Sequence, residues 1–141
     1  MGIYNSAIIN ADVDTVWGAL RDFHDMSWAD GVIENVQTIG MKAGTEVGAA
    51  RVLNGAFHET LLELDDSNRT LRYSIDDGPE ALSKDRMSGF RGTVRAVPVT
   101  VGEGTFVEWS SAWENESGGV AEFCDPIYKA LLGCLQTRYA Q

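Results

Sequence analysis

The sequence predicts an α+β protein in which a curved antiparallel sheet of six to seven strands wraps around one long C-terminal helix, with two short helices after the first strand. Three observations carry this expectation. Near the start, Val13, Val16, Trp17 and Leu20 form a brief apolar stripe at helical spacing. From Val32 to Glu114 the apolar period changes to two, interrupted at short intervals by turn residues. After Glu116-Ser117-Gly118-Gly119 the helical period returns and is sustained.

Taken in order, Ile3 to Asn10 reads as a strand, and Asp12 is placed to cap a helix running to about Asp22. Asp22 to Asp30, polar apart from residues such as Trp28, reads as a second short helix or a tight connection. Six strands are then expected: Val32 to Ile39, Glu46 to Asn54, Phe57 to Leu64, Thr70 to Asp76, Gly89 to Val99 and Thr105 to Glu114. Turn chemistry separates them, as in Asn54-Gly55, Asp65-Asp66-Ser67-Asn68 and Gly102-Glu103-Gly104. Connections this short make an antiparallel meander. The last helix reaches Ala140 with Phe123, Ile127, Leu131 and Leu135 on one face, and Pro126 either starts it, with Asp125 as cap, or kinks it.

Residues 1–141 carry no repeat, low-complexity tract or linker, so one domain is expected. A formal net charge of -10 without clustered Lys and Arg argues against a nucleic-acid partner and against anionic lipid surfaces. No apolar run reaches membrane-spanning length, and no secretory pattern opens the chain. Cys124 and Cys134 lie ten apart in the helical segment, roughly 15 Å along one helix and too far to pair, which fits free thiols in a reducing cytoplasm. Neither cysteine joins His24 or His58 in a metal-ligand spacing, and no phosphate loop or cofactor motif is present, so neither metal nor cofactor is expected.

A sheet facing a single helix encloses more apolar wall than that helix can fill, which tends to leave a cavity. The apolar phase of each strand nominates its inward residues: Val47, Ala49, Arg51 and Leu53; Phe57, Glu59 and Leu61; Leu71, Tyr73 and Ile75; Phe90, Gly92, Val94 and Ala96; Val107, Trp109, Ser111 and Trp113. Arg51 and Glu59 are the charged members, and the short turn between their strands sets them nearly opposite one another, within salt-bridge reach. They read as a surface pair if the phase is misjudged, as a buried structural pair, or as the polar centre of a ligand site. Trp28, Tyr73, Phe90, Trp109 and Trp113 supply candidate aromatic lining, and Asp77 to Ser88 a long polar loop suited to a lid.

Several stretches, in this order, resemble the START-like helix-grip superfamily, and within it the small bacterial polyketide cyclase/dehydrase-type proteins. They are Asp14-Thr15-Val16-Trp17 with Arg21-Asp22-Phe23 and Trp28, Val47-Gly48-Ala49-Ala50-Arg51, Glu59-Thr60-Leu61-Leu62 with Leu64-Asp65-Asp66, Leu71-Arg72-Tyr73-Ser74-Ile75, Phe106-Val107-Glu108-Trp109 and Ile127-Tyr128-Lys129-Ala130. The resemblance implies a helix-grip fold with a cavity for a hydrophobic or aromatic small molecule. A branch with similar motif order, the plant lachrymatory factor synthase type, implies an Arg, a Glu and a Tyr in the cavity. Arg51 and Glu59 match the first two; the third position is Phe90, which has no hydroxyl, and Tyr73 on a neighbouring strand is the nearest substitute.

Two functional readings follow. In the first, the protein binds a small apolar or aromatic molecule whose polar end is oriented by Arg51 and Glu59. In the second, it is a cofactor-free cyclase, dehydratase or isomerase, with Glu59 as general base and Arg51 stabilising an anion. A third class is a subunit without a ligand that interacts through its sheet edge or exposed helix; a homodimer is among the partners the sequence leaves open.

Overall fold

The protein is described from a computed structural model, and the structure describes residues 1–140. Strand β1 (Gly2–Ile9) leads into helix α1 (Val13–Leu20), whose first turn is capped by the Asp12 carboxylate accepting from the Thr15 backbone N–H. Val16, Trp17 and Leu20 are its buried face. The second short helix expected after it does not form. Residues 22–32 are instead a run of turns, with the Asp22 and Asp25 side chains accepting from the backbone N–H groups of His24 and Ser27. Asp side chains that bond the backbone two residues on stabilise turns at the expense of helix.

The sheet contains β1, β2 (Val36–Ile39), β3 (Ala50–Leu53), β4 (Phe57–Asp65), β5 (Thr70–Asp77), β7 (Arg91–Pro98) and β8 (Thr105–Ala112), in the order β1-β8-β7-β5-β4-β3-β2, every pairing antiparallel. Two-residue strands β6 (Met87–Ser88) and β9 (Asn115–Glu116) pair with each other apart from it. Helix α2 (Val120–Arg138) completes a helix-grip arrangement.

Strands β2 and β3 are shorter than their apolar patterns suggest, for identifiable reasons. The Asn54 carboxamide accepts from the Glu34 and Asn35 N–H groups and donates to the Val32 carbonyl, which holds 32–35 as a connection. Gly48 sits at φ +94°, so the chain turns there, and Val47, expected to face inward, is 55% exposed. In β4, register shifts on either side of Glu59–Leu61 bend the strand and leave Leu62 outside the alternation.

Pro126 lies inside α2, so it neither starts the helix nor takes Asp125 as its cap; its missing N–H leaves one helical bond unmade. Asp125 instead accepts from Asn5 Nδ2 at 2.9 Å and pairs with Lys129, tying α2 to β1. The fully buried stripe of α2 is Val120, Cys124, Tyr128, Leu131, Leu132 and Leu135, with Phe123 and Ile127 half-buried beside it.

The loop between β5 and β7 contains a 3-10 turn (Glu80–Leu82) whose Ala81 and Leu82 are buried. The Asp77 carboxylate accepts from both the Gly78 and Lys84 N–H groups and folds the loop back toward the helix.

Candidate functional site

The site is built around β3 and β4, whose register places Arg51 directly opposite Glu59. Both are interior, at 5% and 6% exposure. The bulge adjoining Glu59 is the kind of irregularity that re-aims a side chain away from the regular pleat. Arg51 Nε donates to Glu59 Oε1 at 2.8 Å, and Nη2 lies 2.7 Å from the same oxygen. Nη1 donates to the Phe23 carbonyl at 2.7 Å and contacts Met26 Sδ at 3.3 Å, while the guanidinium stacks 3.6 Å above the Phe23 ring. The arginine is therefore held on every side. The contacts that Arg51 makes with Glu59 both fall on Oε1.

Arg51 and Glu59 lie in the wall of an internal pocket of about 30 Å³, otherwise lined mainly by apolar residues that include Met26, Phe57, Leu82 and Leu131. That is room for about two waters. Tyr73, Trp109, Cys124 and Tyr128 complete its polar-tipped wall. Three of these residues, Trp109, Tyr73 and Tyr128, form a hydrogen-bonded row with Ser111. Trp109 Nε1 donates to Tyr73 Oη at 3.0 Å, Tyr73 and Tyr128 share a hydrogen bond of 2.7 Å, and Tyr128 and Ser111 one of 2.6 Å. Each hydroxyl carries one proton. If the row runs from Ser111 through Tyr128 to Tyr73, the Tyr73 proton is left free for a ligand; reversed, the spare proton belongs to Ser111. The room for the Tyr73 ring comes from Gly92, its cross-strand partner on β7, where a Cβ would fall 2.2 Å from Tyr73 Cζ.

A second, smaller void of about 10 Å³ lies behind the first, with Trp28 in its wall. Arg51, Tyr73, Trp109 and Met26 line both voids and so form the partition between them.

Of the residues nominated from the sequence, Arg51, Glu59, Tyr73 and Trp109 meet in the main cavity and Trp28 stands behind the partition. Phe90 and Trp113 line neither void. They stack on each other with centroids 6.0 Å apart and planes 4° apart, and Trp113 Nε1 donates to Glu116 Oε2 at 2.5 Å. Their inward phase holds, since both are buried, but they flank the ends of β7 and β8 next to the small β6–β9 pair rather than the cavity. Tyr128 and Cys124 are cavity residues that strand-by-strand reading overlooked. Their signal was present in the four-residue spacing of Val120, Cys124 and Tyr128, continued by Leu131 and Leu135.

Burial sets the electrostatics. It pushes the Glu59 carboxyl above the ordinary carboxylate range, with the charge and hydrogen bonds of Arg51 pulling the other way. It raises both phenols, Tyr73 and Tyr128, well above their ordinary values, so they act as neutral donors. Cys124 is pushed up to about 12 by burial and by the neighbouring Glu59 charge, leaving it a thiol and a poor nucleophile.

A carboxyl whose pKa is raised on folding favours the native state most at pH below its unfolded value of 4.5, and that contribution is lost as pH climbs through the native value. The stability of the wild type minus that of Glu59→Gln, from urea denaturation at a series of pH values, is therefore expected to be highest in acid and to decline toward neutrality. A flat or rising difference would contradict the assignment.

Comparison with known proteins agrees with this architecture. The sequence profile of the family described as polyketide cyclase / dehydrase and lipid transport matches residues 2–140. A protein of known structure from Nitrosospira multiformis is 37% identical, with a TM-score of 0.95 over 100% of this chain and 97% of that one. XoxI from Bacillus cereus shares the fold at 19% identity and TM-score 0.78, over 98% and 94% of the two chains. Major latex-like protein 151 from Panax ginseng shares it at 13% identity and TM-score 0.79, over 100% and 98%. No curated protein matches the chain. With its profile matched from the first strand through the last helix, the chain belongs to the polyketide cyclase / dehydrase and lipid transport family.

Proposed function

We propose that the chain acts as one domain that binds a small, largely apolar or aromatic molecule between sheet and C-terminal helix, its polar end oriented by Arg51 and Glu59. The observation that carries this reading is Glu59 itself. It is a buried carboxylate in a largely apolar pocket wall, held to the Arg51 guanidinium through Oε1, so that a charged pair stands where the rest of the lining is mainly apolar. A carboxylate has acceptor capacity beyond the bonds Arg51 makes to Oε1, and a ligand hydroxyl or N–H could donate to it in a charge-assisted hydrogen bond.

At about 30 Å³ the pocket is an order of magnitude below the roughly 300–1,000 Å³ of small-molecule sites, so binding entails movement of its walls. The wall elements suited to move are Leu82 on its 3-10 turn, Met26, and the half-buried Phe57–Phe123 stack, whose Phe57 lines the cavity. Two free thiols support action in the reducing cytoplasm.

The alternative is a cofactor-free cyclase, dehydratase or isomerase at the same centre. The feature favouring it is the raised Glu59 carboxyl beside a fixed cation, a combination suited to proton transfer next to a developing anion. The Tyr73–Tyr128 row would supply the phenol that Phe90 cannot.

Native mass spectrometry of the freshly purified protein is expected to show an adduct of a few hundred daltons that is lost on denaturation. A bare mass, together with no binding of small aromatic compounds in solution, would overturn the reading. Returned to the protein, the extracted molecule should be recovered unchanged from a carrier and converted by an enzyme. In the latter case Glu59→Gln should lower turnover by about 10²–10⁴-fold while binding persists.

A further inference from the structure

Trp28 Nε1 is the only buried side-chain nitrogen or oxygen among the described residues without a hydrogen-bond partner. The residue is 4% exposed, and it stands in the wall of the rear void, across the partition from the main cavity. An indole N–H is a donor only, and leaving it unpaired in the interior carries a desolvation cost that most proteins avoid. Two polar groups of the same wall, Trp109 Nε1 and the Arg51 guanidinium, are donors themselves and cannot accept from it: Trp109 donates to Tyr73, and Arg51 to Glu59, the Phe23 carbonyl and Met26.

Of the four partition residues, three are pinned. Arg51 is held by its ion pair, and Tyr73 and Trp109 by the hydroxyl row. Met26 is held only by a 3.3 Å sulfur contact with Arg51 Nη1. Methionine is unbranched and repacks with little loss, so its rotation is the least costly way to join the two voids.

We propose that the ligand chamber extends past Met26 to Trp28, and that Trp28 Nε1–H donates a hydrogen bond to an acceptor atom of the ligand, a carbonyl or ether oxygen. The Glu59 carboxylate takes a donor and Trp28 takes an acceptor. The ligand class so defined is a compact aromatic or polyketide-like molecule carrying a hydroxyl or N–H at the Glu59 side and a carbonyl or ether oxygen at the Trp28 side. This rests on the cavity-binding reading above and adds to it a chemical polarity.

Two near-isosteric probes test it: acetophenone, which carries the carbonyl, and α-methylstyrene, which replaces that oxygen with a methylene. Each is titrated by NMR into the wild type and into Trp28→Phe. The preference for acetophenone over α-methylstyrene is expected to be about three- to tenfold smaller in Trp28→Phe than in the wild type, the range of one net hydrogen bond. In the wild type, the Trp28 indole proton should move downfield with acetophenone and stay in place with α-methylstyrene. That second readout holds even if the Trp28 variant folds poorly. If both probes bind and the preference is unchanged, or the indole proton does not move, the Trp28 assignment is overturned while the cavity remains a binding site. If neither probe binds the wild type, the binding reading falls and this inference with it.

Discussion

Glu59→Leu is expected to destabilise the protein by about 3–5 kcal/mol, because it strands the Arg51 guanidinium in the interior with no counter-charge. Arg51→Met is expected to cost about as much, since it leaves the Glu59 carboxylate buried without its counter-charge. The double variant Arg51→Met/Glu59→Leu should be far closer to wild type than either single change suggests, because a pair of well-packed apolar side chains carries no desolvation penalty. Urea unfolding of all four proteins measures the coupling. Costs that simply add would mean that the two residues do not act as a pair in solution. The same double variant should lose binding of any ligand with a polar end, which separates the stability of the pair from its proposed use.

The second large effect is expected at Gly92. A Cβ there would lie 2.2 Å from Tyr73 Cζ and 2.6 Å from its hydroxyl oxygen, well inside contact distance. A flexible side chain could give way, but the Tyr73 ring is 1% exposed and its hydroxyl is held by Trp109 and Tyr128. Gly92→Ala therefore forces either β7 or the ring to shift, at a cost of roughly 1–3 kcal/mol for an overpacked core. The row Trp109–Tyr73–Tyr128–Ser111 should come apart with it. Thermal unfolding gives the first quantity, and near-ultraviolet circular dichroism of the buried tyrosines and tryptophan reports the second. An alanine variant with wild-type stability and an unchanged aromatic spectrum would show that the ring is freer than its hydrogen bonds imply.

Both effects depend on where strand phase was legible and where it was not. The two-residue period and a short turn were enough to set Arg51 opposite Glu59, because in an antiparallel hairpin the turn length determines which residues face each other. The same periodicity placed Tyr73, Trp109 and Ser111 on the interior face. It could not say how far along the sheet each would fall. Phe90 and Trp113 have the right phase yet stack on one another outside the cavity, since position along a strand axis is set by shear between strands and not by alternation. Val47 shows the complementary failure: one glycine at positive φ ended the pattern a residue too early for the alternation to hold.

By itself the sequence determined the class of fold, the order of its elements, the antiparallel meander and the opposed Arg51–Glu59 pair, all consequences of local periodicity and turn chemistry. Only the tertiary structure decided that Pro126 lies inside the last helix, that Tyr128 joins Tyr73 across 55 residues of chain, and that Trp28 keeps an unpartnered N–H behind Met26. Those facts depend on how a helix face meets a bent sheet. That is a matter of packing between distant segments, and no local pattern encodes it.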